Sequence, residues 1–333
     1  MKTIIDKIKL EKVNNKLLEQ YFNHGEPAVF DIETTGLSPA FAKIILTAIL
    51  TVEDDNATIT QYFAETLDDE KEVIEKTLEH LASSDYLVTY NGRSFDLPFI
   101  KQRAIALGIP WELENKFNLD LYVAVKGFST LDKTLPNLKQ KSIEKFMGVA
   151  STRDDEISGG ESVNMYNEYL RTGNEALKEK ILLHNHDDVV QLYKILPVIN
   201  YIDFHSAMGS MGIISGEFFV TKLRILNNQL ILEGRKTINA QNYICFPSDE
   251  IAAHIEMSQS PNKFSVSINA ERAQEATYID LEQLLPNAQK LEKYPSYVNG
   301  YLILKNKEVI DYMSINAFIM EFFSYLPEYI SRR

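Results

Sequence analysis

The chain has a single cysteine in 333 residues, Cys245, and therefore no internal disulfide. A fold that relies on its core alone fits a reducing, cytoplasmic setting, with Cys245 as a small buried hydrophobe. Cysteine and histidine clusters are missing too, which excludes a structural zinc site of the finger type. No apolar run reaches the ~18 residues that suggest a membrane-spanning helix. The opening residues, Met1-Lys2-Thr3-Ile4-Ile5-Asp6-Lys7, soon turn charged and lack the apolar centre of a signal peptide. Basic residues are in short supply: 34 lysines and arginines face 47 aspartates and glutamates, for a net charge of −13. That balance argues against a broadly basic nucleic-acid-binding surface. It leaves room for a local groove, because residues 101–150 hold 8 basic against 5 acidic side chains. Internal repeats and low-complexity linkers are absent as well.

What is present is the composition of a soluble globular protein, 45% hydrophobic and 24% charged. The length suits two domains of about 150 residues each. Apolar spacing predicts a helix over 6–22, packing Ile8, Leu10, Val13, Leu17 and Leu18. A strand from Pro27 precedes a hairpin of Ile44–Val52 and Thr58–Ala64, closed by the polar turn Glu53-Asp54-Asp55-Asn56. A helix over 68–81 starts on acidic residues, as suits a helix N-terminus. Then come a short strand 86–90, a helix 97–107 with Pro98 in its first turn, and a strand 118–123. Helices follow over 135–147, 161–170 and 175–196, the last ended by Pro197. Strand, hairpin, then alternating helix and strand describe an α/β domain with a mixed sheet over residues 1–200.

Beyond residue 200 the texture changes to β-hairpins. Phe218–Leu226 and Gln229–Glu233 flank Asn227-Asn228, Ile251–Met257 pairs with Phe264–Ile268, and Tyr301–Leu304 pairs with Val309–Met313. A helix over 315–329 closes this β-rich accessory domain of residues 201–333. Phe218, Phe219, Tyr243 and Phe246 could stack on bases, but alternating aromatics in strands more often build a core. The region carries no catalytic pattern, and the chain carries no signal for oligomeric state.

The chemistry gathers in three places. In Val29-Phe30-Asp31-Ile32-Glu33-Thr34-Thr35-Gly36-Leu37 a strand ends in a turn, and alternation puts Asp31 and Glu33 on one face. Ala28, Phe30 and Ile32 point the other way, towards a core. Two adjacent carboxylates repel and resist desolvation, and a divalent cation is the usual compensation. In Tyr90-Asn91-Gly92-Arg93-Ser94-Phe95-Asp96, Asp96 stands at the start of a helix, where an aspartate serves equally well as a cap. In His184-Asn185-His186-Asp187-Asp188, His184 and Asp188 lie one helical turn apart on one face. Alone, that segment reads as an exposed acidic face.

Together, strand D-x-E, strand-turn-helix D and helix H-x-x-x-D resemble the DEDD exonucleases of the ribonuclease H-like superfamily. Leu119-Asp120-Leu121-Tyr122, Leu138-Lys139, Ser142 to Gly148, Ile157-Ser158-Gly159 and His184 to Val189 resemble the YprB-like branch of predicted exonucleases. The likeness spans residues 25–196. It implies a ribonuclease H-like fold and 3′→5′ hydrolysis of DNA or RNA ends. Two Mg²⁺ or Mn²⁺ ions would be held by Asp31, Glu33, Asp96 and Asp188. It also places Thr34, Thr35, Gly36, Leu37 and Asn91 beside the terminal nucleotide, although a tight strand exit and a turn explain them as well. Larger subfamilies carry tyrosine four residues before the last aspartate or histidine five before it. Here His184 stands at minus four and is the candidate general base, since imidazole titrates near neutrality. Asp187 is the second choice for the last ligand. Lys133, Lys139, Lys141 and Lys145 read as a solvated helix face before they read as phosphate contacts, and Asp120 reads as structural before supporting the site. The competing readings are a non-catalytic nucleic-acid-binding or scaffolding protein of the same fold, and a ribonuclease H-type endonuclease.

Overall fold

Lys2–Lys9 forms strand β1, although apolar spacing predicts a helix from residue 6 onwards. β1 pairs along its whole length with a later strand, from Lys2 opposite Phe63 to Lys9 opposite Asn56. It is an edge strand, and its lysines suit the solvated side of a sheet edge. Only Lys16–Phe22 is helical (α1), started by the Asn15 side chain accepting from the Leu17 amide at 2.9 Å. The structure is a computed structural model, and it describes residues 1–154, 157–238 and 241–332. Asp155 and Glu156, read from sequence as part of a solvated loop, lie outside the described residues.

The chain divides into two compact units, Met1–Asp203 and Phe204–Arg333. In the first, α1 is followed by β2 (Pro27–Thr34), β3 (Ile44–Glu53), β4 (Asn56–Phe63), α2 (Glu70–Ser83), β5 (Tyr86–Thr89) and α3 (Asp96–Ala106). Then come β6 (Asn118–Asp120), α4 (Leu121–Phe128), α5 (Gln140–Phe146), α6 (Gly159–Thr172) and α7 (Glu175–Lys194). The strands form one mixed sheet in the order β1-β4-β3-β2-β5-β6. β2 pairs antiparallel with β3 and parallel with β5, which leaves it at the centre.

The two faces of the sheet are covered differently. Ala28, Phe30 and Ile32 of β2 pack with Val73, Ile74 and Leu78 of α2 and with Phe99 and Ile100 of α3. Ile45, Leu46 and Phe63 pack on the opposite side with Tyr166 and Tyr169 of α6 and Ile181 of α7. Each large apolar side chain buried this way stabilises the fold by about 1.5–3 kcal/mol. The alternation of β2 therefore turns Asp31 and Glu33 to the side of α7. A buried ion pair braces the first face: Glu70 accepts from Arg103 at 2.7 and 2.6 Å and from the Ile44 amide at 2.9 Å. That ties α2, β3 and α3 together.

Two further expectations shift. The strand over 118–123 ends at Asp120, whose carboxylate accepts from the Val123 amide at 3.2 Å and starts α4. The helix over 135–147 begins only at Gln140, because Pro136 disfavours helical backbone before it and Lys139 is extended.

The second unit opens with α8 (Phe204–Met211), a short helix that the sequence reading leaves out. The next strands are β7 (Ile213–Ser215), β8 (Phe218–Leu226), β9 (Gln229–Lys236), β10 (Tyr243–Cys245), β11 (Ala253–Ser258) and β12 (Lys263–Asn269). They form an antiparallel sheet in the order β10-β11-β12-β9-β8-β7. Asn227 and Asn228 both take positive φ at the β8–β9 turn, the backbone that asparagine tolerates best after glycine. A smaller sheet holds β13 (Glu271–Ala273), β14 (Ala276–Asp280), β15 (Tyr297–Val298), β16 (Tyr301–Asn306) and β17 (Val309–Ile310). The closing helix α9 (Tyr312–Ser331) sends Phe318, Phe322 and Phe323 into a core with Phe218 and Phe264. Phe218 and Phe219 are buried, and Cys245 is buried as expected. Phe246 is 69% exposed and stacks on His254. Among the described residues no helix is long and apolar enough to cross a membrane.

Candidate active site

The sheet register slips between Glu33 and Thr34, immediately after the two β2 carboxylates. An irregularity of this kind ends regular pairing and re-aims the chain. Beyond it Thr35 re-engages Lys43, donating its amide to the Lys43 carbonyl and accepting the Lys43 amide on its hydroxyl, both at 2.9 Å. Asp31 accepts a hydrogen bond from Asn185 Nδ2 at 2.8 Å. Gln61 Nε2 in turn donates to Asn185 Oδ1 at 3.1 Å and to the Leu182 carbonyl at 2.9 Å. Asn185 is fully buried, so this chain of amides fixes the Asp31 carboxylate from β4 and α7 together. Burial pushes the Asp31 carboxyl well above its ordinary range. The charges of Asp188, Asp96 and Glu33 push it further, against the Asn185 hydrogen bond.

Asp96 arrives through the turn that follows β5. Asn91 takes φ of 67°, and a side chain at Gly92 would place its Cβ 2.5 Å from Thr89. Asp120, fully buried at the end of β6, accepts from the Asn91 and Arg93 amides, each at 2.9 Å. The Arg93 guanidinium reaches back to the Asn118 carbonyl at 3.1 and 3.2 Å. These bonds anchor the turn and place Asp96 as the first residue of α3, with Phe95 rather than Asp96 as the cap. The Asp96 side chain accepts from the Ile32 amide at 3.2 Å, between the two β2 carboxylates. Burial raises the Asp96 carboxyl to about 7. Asp120 and Glu33 add to the rise, while its own amide and that of Ile32 oppose it.

From α7, His184 Nε2 lies 3.5 Å from Glu33 Oε1 and 3.6 Å from Asp188 Oδ2. Ligand atoms of Glu33, His184 and Asp188 fall within 4.8 Å of one another, the one such acid and histidine group among the described residues. Asp188 Oδ1 lies 2.7 Å from Arg153 Nη2. Asp187 faces a different segment: its Oδ2 accepts from the Asp154 amide at 2.6 Å, and its Oδ1 lies 3.4 Å from His186 Nδ1. Three elements far apart in sequence thus bring Asp31, Glu33, Asp96, His184 and Asp188 to one end of β2.

A family model described as RNase_H superfamily matches residues 28–200, more than half of the chain. The chain belongs to the RNase_H superfamily. The matched span holds all five of those side chains and stops before the second unit. No curated protein matches the chain. Among solved structures, the family B DNA polymerase from the hyperthermophilic archaeon Pyrobaculum calidifontis is similar at 21% identity and a TM-score of 0.44. The similarity covers 53% of this chain and 24% of the polymerase chain, so this chain spans about a quarter of that protein.

RNase H-like nucleases generally use divalent metals, and the donor set of this superfamily member fits such ions. Carboxylate oxygens are hard ligands suited to Mg²⁺ and Mn²⁺. Burial and neighbouring carboxylates raise the carboxyls of Asp31 and Asp96, and a nearby cation would favour their ionised forms.

The other sequence candidates are arranged less uniformly. Thr34 is buried and its hydroxyl donates to the Gly36 carbonyl at 2.8 Å, closing the strand exit. Leu37 is 86% exposed, and Phe41 in the following turn is 94% exposed. Asn91 shapes the turn through its backbone. Lys133, Lys139, Lys141 and Lys145 are exposed, and Lys141 donates to the Ile157 carbonyl at 3.2 Å. Sequence reasoning missed Gln61, Asn185, Glu144 and Arg153. The signal for Asn185 was present: five polar residues run together between Leu182-Leu183 and Val189-Val190, and one helix cannot turn all five to solvent.

Proposed function

We propose that the chain is a metal-dependent 3′→5′ exonuclease that hydrolyses phosphodiester bonds at DNA or RNA ends. The carrying observation is the convergence of Asp31, Glu33, Asp96 and Asp188, with His184 set between Glu33 and Asp188. Those four carboxylates would hold two Mg²⁺ or Mn²⁺ ions. Such ions, when bound, polarise a phosphate and make water a nucleophile near neutral pH. His184 supplies an imidazole nitrogen beside the carboxylates to orient the attacking water or accept its proton. Asn185 and Gln61 keep Asp31 aimed, and the Ile32 amide keeps Asp96 aimed. Thr34, Thr35, Gly36, Leu37 and Asn91 border the terminal nucleotide in this reading, and exposed Leu37 offers a base an apolar contact. Residues 1–200 carry the activity, and residues 201–333 form an accessory domain.

The test is digestion of single strands labelled at the 5′ end by purified protein with Mg²⁺ or Mn²⁺. A ladder that shortens from the 3′ end, lost in the Asp31→Ala/Glu33→Ala variant, supports the assignment. Absence of cleavage with either metal, or an unaffected double variant, rules it out. Cleavage of a circular strand would indicate an endonuclease instead.

A further inference from the structure

We propose that Arg153 is a positioning residue for Asp188, an inference that rests on the metal-site reading above. Arg153 precedes α6 in sequence, in a segment with no motif, yet its side chain is only 6% exposed. It pairs with Glu144 of α5 through two parallel contacts, Nε to Oε2 at 3.0 Å and Nη2 to Oε1 at 2.6 Å. Nη2 also reaches Asp188 Oδ1 at 2.7 Å. The two-point pairing fixes the plane of the guanidinium, and Glu144, 1% exposed, offsets its charge. What meets Asp188 is therefore a fixed donor, already matched by its own carboxylate, rather than a mobile cation.

The surroundings hold this donor in place. Gln140 donates to Glu144 at 3.2 Å and to the Asp188 carbonyl at 2.9 Å, fastening α5 to α7. Residues 152–154 lie against successive positions of α7. Thr152 bonds with Gln191 at 2.9 Å and with Lys194 at 2.9 Å, Arg153 meets Asp188, and the Asp154 amide donates to Asp187. Asp187 thus anchors this segment, while Asp188, one helical turn from His184, faces Glu33 and His184. With Oδ1 occupied by Arg153, Asp188 presents Oδ2 towards His184. Arg153 sets which oxygen is offered to a cation.

Calorimetric Mn²⁺ titration and Mn²⁺ electron paramagnetic resonance on Arg153→Gln, Arg153→Lys and Thr152→Ala test this, with melting temperature and steady-state kinetics alongside. Removing a group that orients a ligand costs roughly 10–100-fold in metal affinity or activity. Both Arg153 variants are expected to lose affinity on that scale for one ion and to show an altered resonance spectrum. Their kcat falls while KM holds. Lysine does not rescue, because one ammonium cannot reproduce the planar two-point pairing. Thr152→Ala removes a segment anchor without touching Asp188 and is expected to lose less Mn²⁺ affinity than either Arg153 variant for the same fall in melting temperature. Folded Arg153→Gln protein with wild-type Mn²⁺ affinity and kcat overturns the proposal. So does a Thr152→Ala variant that loses as much affinity for the same fall in melting temperature. If Arg153→Gln does not fold, Arg153→Lys decides by the same two readouts. Wild-type protein that binds no Mn²⁺ overturns the metal-site reading itself, and this inference with it.

Discussion

Asn185 donates its side-chain amide to Asp31 across 2.8 Å, joining residues 154 positions apart in the chain. The same Asn185 accepts from Gln61, so both ends of its amide are committed. A residue in the midst of a histidine and aspartate run thus aims a carboxylate on the central strand.

Asn185→Ala is expected to cost stability and to misplace Asp31. It strips Asp31 of a hydrogen bond and leaves the buried Gln61 amide one acceptor short, each worth about 1–3 kcal/mol. Chemical denaturation measures the first effect and Mn²⁺ titration the second. Wild-type stability together with wild-type metal affinity would contradict the described role.

The metal-free protein should lose stability as pH rises from about 4 to about 7. Asp96 has a folded-state value raised to about 7, and Asp31 is raised as well, both above the unfolded carboxylate value of about 4. Across that window the folded chain holds protons that the unfolded chain has released, so the free energy of unfolding falls with pH. Saturating Mn²⁺ should flatten the trend, because ion binding favours the ionised carboxylates. Denaturation at several pH values, with and without metal, reads both slopes. Calorimetry in buffers of different ionisation enthalpy should also show protons released on Mn²⁺ binding near pH 6.

Asp120→Asn tests how the Asp96 turn is held. Asp120 accepts three backbone amides, and an asparagine would turn a donor towards one of them. Hydrogen bonds to a charged group contribute about 1.5–3 kcal/mol each, so a loss of several kcal/mol is expected. Activity of the surviving folded fraction should fall through displacement of Asp96. An unchanged melting temperature would contradict this account of the turn.

His184→Gln should reduce kcat by roughly 10²-fold or more, the usual scale for a lost acid or base group. Binding of two Mn²⁺ ions should persist, because four carboxylates remain. Loss of an ion instead would make His184 a ligand, a role its place between Glu33 and Asp188 also permits.

Much of the site was legible because its elements announce themselves locally. Alternation on β2 put Ala28, Phe30 and Ile32 in a core and turned Asp31 and Glu33 the other way, and α7 was visible as one long helix ending before Pro197. The Asn227-Asn228 turn marked its hairpin. What stayed hidden depends on partners far along the chain. β1 has no apolar alternation of its own and is a strand because β4 offers it an edge, so helical spacing misled. Gln61 and Arg153 belong to no motif, and Glu144 and Asn185 stand inside motif runs that assign them no role; all four acquire their roles only when α5, α7 and the sheet assemble. β6 ends at Asp120 because that carboxylate starts a helix, which β-rich neighbours conceal.

The central claim is that the carboxylates at the end of β2 form a metal-dependent centre for trimming nucleic-acid ends. Mn²⁺-dependent release of mononucleotides from the 3′ end of a 5′-labelled single strand tests it most directly, comparing wild type with Asp188→Asn. The account predicts stepwise shortening by the wild type, abolished by chelation of the metal and reduced at least about 100-fold in the variant. Folded wild-type protein that leaves the strand intact with both Mg²⁺ and Mn²⁺ would contradict it.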